Sequence, residues 1–184
     1  MRHEDVPQVS EIDQTCFADT LPPPNYKSEM LNPMAHYVVA CDDAPATPLG
    51  DALVPPLIPG FAGLWLMAGE AHVTTIAVRE KYRRWGLGEL LLIGLIQEAQ
   101  KLKASLITLE VRASNLTAQR LYAKYGLTER GRRRAYYTNN REDAVIMTLD
   151  DPSSPAYEAV FKKLRRKYEA RWRRATTISE ADTG

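Results

Sequence analysis

Residues 78–88 read Val-Arg-Glu-Lys-Tyr-Arg-Arg-Trp-Gly-Leu-Gly, directly after an apolar, β-branched run and directly before Leu90-Leu91-Leu92-Ile93. That is the pattern of a strand, a basic glycine turn and a helix. In Arg83-x-x-Gly86-x-Gly88 the missing side chains let backbone N–H groups come close to a phosphate, while the following helix aims the positive end of its dipole at the same point. The segment is therefore a candidate pyrophosphate cradle, although a Gly-x-Gly by itself also fits an ordinary strand-to-helix turn.

The 184 residues suffice for one domain and at most an appendage, and with 45% apolar residues a sizeable core can be buried. No apolar run approaches membrane-spanning length, and the start, Met1-Arg2-His3-Glu4-Asp5, lacks a signal-peptide core. Two cysteines, Cys16 and Cys41, without metal-ligand spacing, exclude a disulfide framework and read as packing residues or free thiols of a cytoplasmic protein. The net charge of +1 hides a split. Eight Lys/Arg against Glu158 and Glu169 lie between Pro155 and Ala175; removing these from 24 basic and 23 acidic residues leaves 16 against 21. Outside that basic stretch the chain is thus mildly acidic, and the sequence divides into a body, residues 1–150, and a tail, residues 151–184, that carries the basic run.

Asp5-Val6-Pro7 suits a helix start, with Val9, Ile12 and Cys16 at helical spacing. A turn at Leu21-Pro22-Pro23-Pro24 precedes a short helix over Tyr26–Leu31 and a strand over His36–Cys41. The proline-rich stretch from Asp42 to Pro59 reads as an irregular loop. A hairpin over Phe61–Met67 and Ala71–Val78, a long helix over Gly86–Lys103, a strand over Leu106–Arg112, a helix over Leu116–Tyr125 closed by Gly126, and a last hairpin over Thr128–Tyr136 and Ala144–Leu149 complete the body. In the tail Tyr157, Phe161, Leu164, Tyr168 and Trp172 recur at helical spacing, an apolar stripe on a cationic helix. Docking onto the acidic body, ribosome or RNA contact, and attachment to a membrane surface all fit that pattern; the stripe favours docking.

A second segment, Leu109-Glu110-Val111-Arg112-Ala113-Ser114-Asn115 followed by Leu121-Tyr122-x-x-x-Gly126-Leu127, together with Arg133-Arg134-Ala135-Tyr136-Tyr137 and Arg141-Glu142-Asp143-Ala144, joins the glycine turn in resembling the GNAT acyltransferases. The likeness is to the ribosomal-protein-alanine N-acetyltransferase branch and covers about residues 4–150. It implies an α/β (α+β) fold: a mixed, mostly antiparallel sheet splayed between the strands carrying Ile76 and Glu110, with helices on both faces. The family opens with a strand that this chain lacks, so either the start lies upstream or the sheet edge is shortened.

The resemblance also implies acetyl-CoA as co-substrate, without a metal. Its grip falls on Arg83, Arg84, Trp85, Gly86, Leu87, Gly88 and Glu89, with Ile76, Ala77 and Val78 pairing the pantetheine arm and offering an N–H to the thioester oxygen. Glu89 would sit unfavourably beside phosphate. Glu110, in an otherwise apolar strand, is the candidate general base, since burial without a partner makes a carboxylate a better proton acceptor; a carboxylate salt-bridged on a solvated sheet face is the plain alternative. Tyr122 would protonate the departing thiolate or serve as a core aromatic. Asn115 would cap its helix and bond the cofactor arm. His72 either faces the substrate amine or is a half-buried strand histidine. Tyr136 and Tyr137 resemble a pair that clamps a peptide's first residues, with Tyr26 and Pro22 as the opposite wall. No covalent cysteine step is implied, since neither Cys16 nor Cys41 lies near the motifs. The expected activity is acetylation of a protein's N-terminal amine, a ribosomal protein with N-terminal Ala in that branch. A lysine or small amine, or a non-enzymatic CoA- or ribosome-binding adaptor, are the alternatives.

Overall fold

The computed structural model describes residues 1–18, 24–41, 47–49, 52–54 and 56–181, with the backbone alone at 47–49, 52–54 and 173–181. After a 3-10 turn at His3–Asp5 come α1 (Val6–Phe17), α2 (Tyr26–Glu29), β1 (Ala35–Ala40), β2 (Thr47–Leu49), β3 (Ala52–Val54), β4 (Gly60–Met67) and β5 (Glu70–Val78). A second 3-10 turn, Glu80–Tyr82, leads to α3 (Leu87–Lys101), β6 (Leu106–Arg112), α4 (Leu116–Lys124), β7 (Thr128–Tyr137), β8 (Glu142–Asp150) and α5 (Pro155–Ala181). The main sheet has the order β1-β4-β5-β6-β8-β7, and only the β5–β6 pair is parallel. The turn expected at Leu21-Pro22-Pro23-Pro24 lies outside the described residues except for Pro24. The expected helices and strands are present within a few residues, with one correction. The proline-rich stretch expected to be irregular contains the antiparallel ribbon β2–β3. Pro48 is tolerated there because both strands of a two-stranded ribbon are edges.

Alternation along the strands sorts the core. Leu64 on β4, Ala71 and Val73 on β5, Ile107, Leu109 and Val111 on β6, and Val145, Met147 and Leu149 on β8 join the buried residues of α3 in one cluster. Their partners lie directly across the ladders, Leu109 opposite both Val73 and Met147. On the other face α1 lays Val6, Val9 and Ile12 against Phe61, Ala77 and Tyr26.

On β5 the alternation changes phase. Thr75 faces Gly63 and Val73 faces Leu64, so Thr74 is an unopposed bulge residue. Ala71 and Val73 point into the main cluster before the bulge; Ile76 and Val78 pack against it after the bulge. A one-residue bulge shifts the period-2 pattern by one and bends the strand. The parallel ladder to β6 ends at Val73–Leu109, at the bulge. The sheet splays from there, as expected.

Among the described residues no helix is long and apolar enough to cross a membrane. The basic helix α5 docks through its stripe: Phe161 and Tyr168 are buried in the main cluster, with Tyr157, Leu164 and Trp172 packed against it. Tyr157 stacks on Phe161 at 6.0 Å and donates its hydroxyl to the Tyr125 carbonyl at 2.8 Å. Docking of α5 thus supplies part of the core. Phe161→Ala should lower the unfolding free energy by about 3–5 kcal/mol, the span for deleting a buried phenyl group. Chemical denaturation of the variant against the parent checks this, and a change under about 1 kcal/mol would mean that α5 adds little to the folded body.

Candidate active site

The glycine turn is built by two left-handed backbone positions. Arg84 (φ 70°) and Gly86 (φ 84°) fold the chain back after the 3-10 turn, and Gly86 caps α3. Glu89 and Leu90 N–H both bond to the Gly86 carbonyl, so the N–H groups just before them sit at the helix start without intrahelical acceptors. A Cβ added at Gly88 would meet nothing within 4 Å, whereas one at Gly86 would lie 2.9 Å from Arg171 Nη2. Gly88 is therefore the glycine that keeps the backbone open to a ligand, and Gly86 serves the left-handed cap and the packing of α5.

A groove of about 1010 Å³ runs from this turn into the splay. Ile76, Ala77, Val78, Arg83, Arg84, Trp85, Gly86, Gly88, Glu89, Asn115 and Tyr122 are among the residues that line it. Past Val73, β5 pairs with β4 on one side and has no ladder to β6 on the other. An open strand edge leading from an anion-ready helix start is what a pantetheine arm with a diphosphate at its end requires, so the residues present fit acetyl-CoA. Asn115 caps α4, its Oδ1 accepting from Ala118 N–H at 3.1 Å.

Of two further expected grip residues, Leu87 turns inward, while Glu89 lines the groove with its charge already paired. Leu87 packs against the main core. The Glu89 side chain is only 8% exposed and accepts from Lys124 Nζ, from the Tyr125 hydroxyl at 2.7 Å and from Arg171 Nη2 at 3.1 Å. Burial pushes its carboxyl up, but the hydrogen bonds from Lys124 and Tyr125 and the charges of Lys124 and Arg171 outweigh burial and hold it below the usual carboxylate range. Its negative charge is thereby satisfied from within.

Glu110 is the first β6 residue beyond the end of the parallel ladder. It lies on the face opposite the main core, because Leu109 and Val111 belong to that core. Its side chain is 7% exposed; Oε2 lies 2.8 Å from His72 Nε2 and Oε1 lies 3.1 Å from Arg133 Nη2. The unpartnered carboxylate expected from the apolar run is instead a paired one, since period-2 alternation puts it beside His72 rather than among leucines. A carboxylate only accepts, so His72 donates from Nε2, and in a neutral ring Nδ1 is then the acceptor nitrogen.

Tyr122 belongs to the same neighbourhood, and burial, with the Tyr137 hydroxyl nearby, pushes its phenol up to about 12. Tyr136 and Tyr137 meet edge to face at 5.3 Å. The bulge that presents them is pinned by Ala135 N–H donating to Asp143 Oδ1 at 2.8 Å, and Arg112 lies 3.9 Å over the Tyr137 ring. Arg112 in turn is held by Glu142, whose carboxyl is drawn down to about 2 by its bonds to Ser114 and Asn140.

Two expectations need correction, and one falls outside the described residues. Tyr26 forms no peptide wall: it is 2% exposed, edge-on to Tyr37 and Phe61, with its hydroxyl bonded to Asp13. The large ring on the first turn of α2 faces α1 rather than solvent, because the second core requires it. Cys16, expected to be remote from the motifs, lines the groove with Sγ 3.5 Å from the Val78 carbonyl. It sits at the Val78 end of β5, roughly 20 Å along the strand from His72 at ~3.3 Å per residue, so it takes no part at Glu110. Pro22 lies outside the described residues. Sequence reasoning missed Arg133 as the partner of Glu110, although the Arg-Arg-x-Tyr-Tyr run carried it. It also missed Arg171 and Trp172 as groove residues, which no local pattern could reveal.

Residues 6–127 match the Acetyltransferase (GNAT) family. A candidate ribosomal protein bS18-alanine N-acetyltransferase of Bacillus subtilis is 36% identical over 80% of this chain and 90% of its own length. The N-alpha-acetyltransferase RimI of Mycobacterium tuberculosis is 32% identical over 81% of this chain and 90% of its own. The crystal structure of the ribosomal-protein-S18-alanine N-acetyltransferase from Escherichia coli superposes with a TM-score of 0.67 at 32% identity, over 82% of this chain and 90% of that one. With the splayed sheet, the glycine turn and the groove between them, these matches make the chain a member of the GNAT family, an N-acetyltransferase that takes its acetyl group from acetyl-CoA.

Proposed function

We propose that this enzyme acetylates the N-terminal α-amine of a protein in the cytosol, and that its substrate is a ribosomal protein beginning with alanine. The observation that carries the reading is Glu110, paired with His72 at 2.8 Å, at the point where β5 and β6 part. The names of the relatives from Bacillus subtilis and Escherichia coli support the choice of substrate.

Acetyl-CoA supplies an acetyl thioester, so the C–S bond breaks as the C–N bond forms, and one proton leaves nitrogen while one reaches sulfur. An α-amine has a pKa of about 7.7–8.0, so a modest base suffices near neutral pH. Glu110 holds His72 with Nδ1 as acceptor, and the pair takes the amine proton directly or through one water. A backbone N–H of the unpaired β5 edge near Ile76 polarises the thioester oxygen. Tyr122, protonated throughout the working range, donates to the departing sulfur. Asn115 holds the cofactor arm from the start of α4, and Tyr136 and Tyr137 clamp the first residues of the peptide. Residues 1–150 form the catalytic body, and 151–184 a basic extension whose helix braces it.

Peptides beginning with Ala, with free or blocked α-amines, are the direct test, read by mass spectrometry after incubation with acetyl-CoA. Acetylation of the free α-amine alone is expected; modification confined to lysine side chains would overturn the reading. Glu110→Gln should cut kcat/KM roughly 10²–10⁴-fold near pH 7, and the deficit should narrow at higher pH as free amine accumulates unaided. Activity within twofold of the parent would remove Glu110 from the chemistry. Tyr122→Phe should lower kcat roughly 10²-fold. Because the phenol titrates near 12, that factor should stay constant from pH 7 to 10, and a ratio that collapses in this range would contradict the assignment.

A further inference from the structure

We propose that Arg171, on α5, is a phosphate-binding residue of the cofactor site, reaching the diphosphate of CoA from a helix that lies outside the segment matched to the family. The proposal rests on the reading that the groove holds acetyl-CoA. Arg171 lines the same groove as Arg83, Gly86 and Gly88. Its Nη2 would stand 2.9 Å from a Cβ on Gly86, so the guanidinium lies directly against the glycine turn. The family match ends at residue 127, and Arg171 is carried by α5, Pro155–Ala181.

Three features suit the side chain to this task. It is positioned: Phe161 and Tyr168 bury α5 in the main core, and Arg171 Nη2 donates to Glu89 Oε2 at 3.1 Å. It has donors to spare, because a guanidinium carries five N–H groups and the bond to Glu89 uses one; the side chain remains 59% exposed. Finally, it resolves the conflict that a carboxylate at the third position of a phosphate-binding helix creates. Glu89 also lines the groove, but its carboxylate is taken by Lys124, Tyr125 and Arg171, so an Arg171 guanidinium with donors to spare stands beside a charge-paired carboxylate at the helix start. A planar guanidinium pairs with phosphate oxygens through two parallel N–H bonds, which an ammonium cannot do.

Arg171 could instead be only a clamp on Glu89, and Lys124 separates the two roles. Lys124 also pairs with Glu89 but does not line the groove. Calorimetric titration with CoA and with dephospho-CoA, which keeps the diphosphate and lacks the 3′-phosphate, is run on the parent, Arg171→Gln, Arg171→Lys and Lys124→Gln. The expected result is a Kd raised about tenfold or more in Arg171→Gln for both ligands, a smaller rise in Arg171→Lys, and affinity within twofold of the parent in Lys124→Gln. Affinity within twofold in Arg171→Gln overturns the proposal. Equal losses in Arg171→Gln and Lys124→Gln also overturn it, since the effect then travels through Glu89. A loss confined to CoA overturns the placement at the diphosphate. In the parent, bound CoA should slow amide hydrogen exchange around Tyr168–Trp172, because ligand and helix docking stabilise each other reciprocally; unchanged exchange overturns the proposal even if the variants fold poorly. Failure of the parent to bind either ligand would strike instead at the cofactor reading of the groove.

Discussion

The buried carboxylate of Glu89 ties the start of α3 to the end of α4 and to α5. It sits on the first turn of α3, accepts from Lys124 and Tyr125 where α4 ends, and receives Arg171 from α5. Three elements distant in sequence therefore meet on one charge, directly beneath the glycine turn. A desolvated carboxylate persists only when it is fully paired, and removing one partner of such a group costs more than the pair contributes. Tyr157 extends the network by donating to the carbonyl of Tyr125, so the end of α4 is bonded on both sides. The turn itself is set by the left-handed backbone at Arg84 and Gly86, and the network fastens α4 and α5 beneath it.

The chemistry depends on a second constraint, the bulge at Thr74. A regular β5 would stay paired with β6 along its length, and Glu110 would be one more cross-strand neighbour. With the extra residue the strand bends, the ladder stops at Val73–Leu109, and a gap opens where a cofactor arm can lie along a free strand edge. The same shift leaves Ile76 and Val78 packed against the main core beside the groove. His72, just before the bulge, and Glu110, just after the end of the ladder, are brought within hydrogen-bonding distance by the point at which the strands diverge.

The basic helix carries two separate signals, its charge and its apolar stripe. Its lysines and arginines suggest a polyanion as partner, yet its apolar stripe is spent within the chain, on Tyr125 and the main cluster. Arg165 pairs with Glu169 one turn on. What separates docking from a nucleic-acid arm is the burial of Phe161 and Tyr168.

The sequence by itself determined the order of helices and strands, the glycine turn, and the identities of Glu110, Tyr122 and Asn115. These are local properties: period-2 and period-3.6 patterns, residues that permit special backbone angles, and contiguous runs shared with a family. Only the tertiary structure decided that Glu89 is paired by Lys124, Tyr125 and Arg171, that Tyr26 is a core residue, that Glu110 is clasped by His72 and Arg133, and that Arg171 lines the groove. Each of these depends on which face of an element meets another element far along the chain, 82 residues apart for Arg171 and Glu89. Side-chain partners at that separation are chosen by packing, and no local pattern in the sequence encodes the choice.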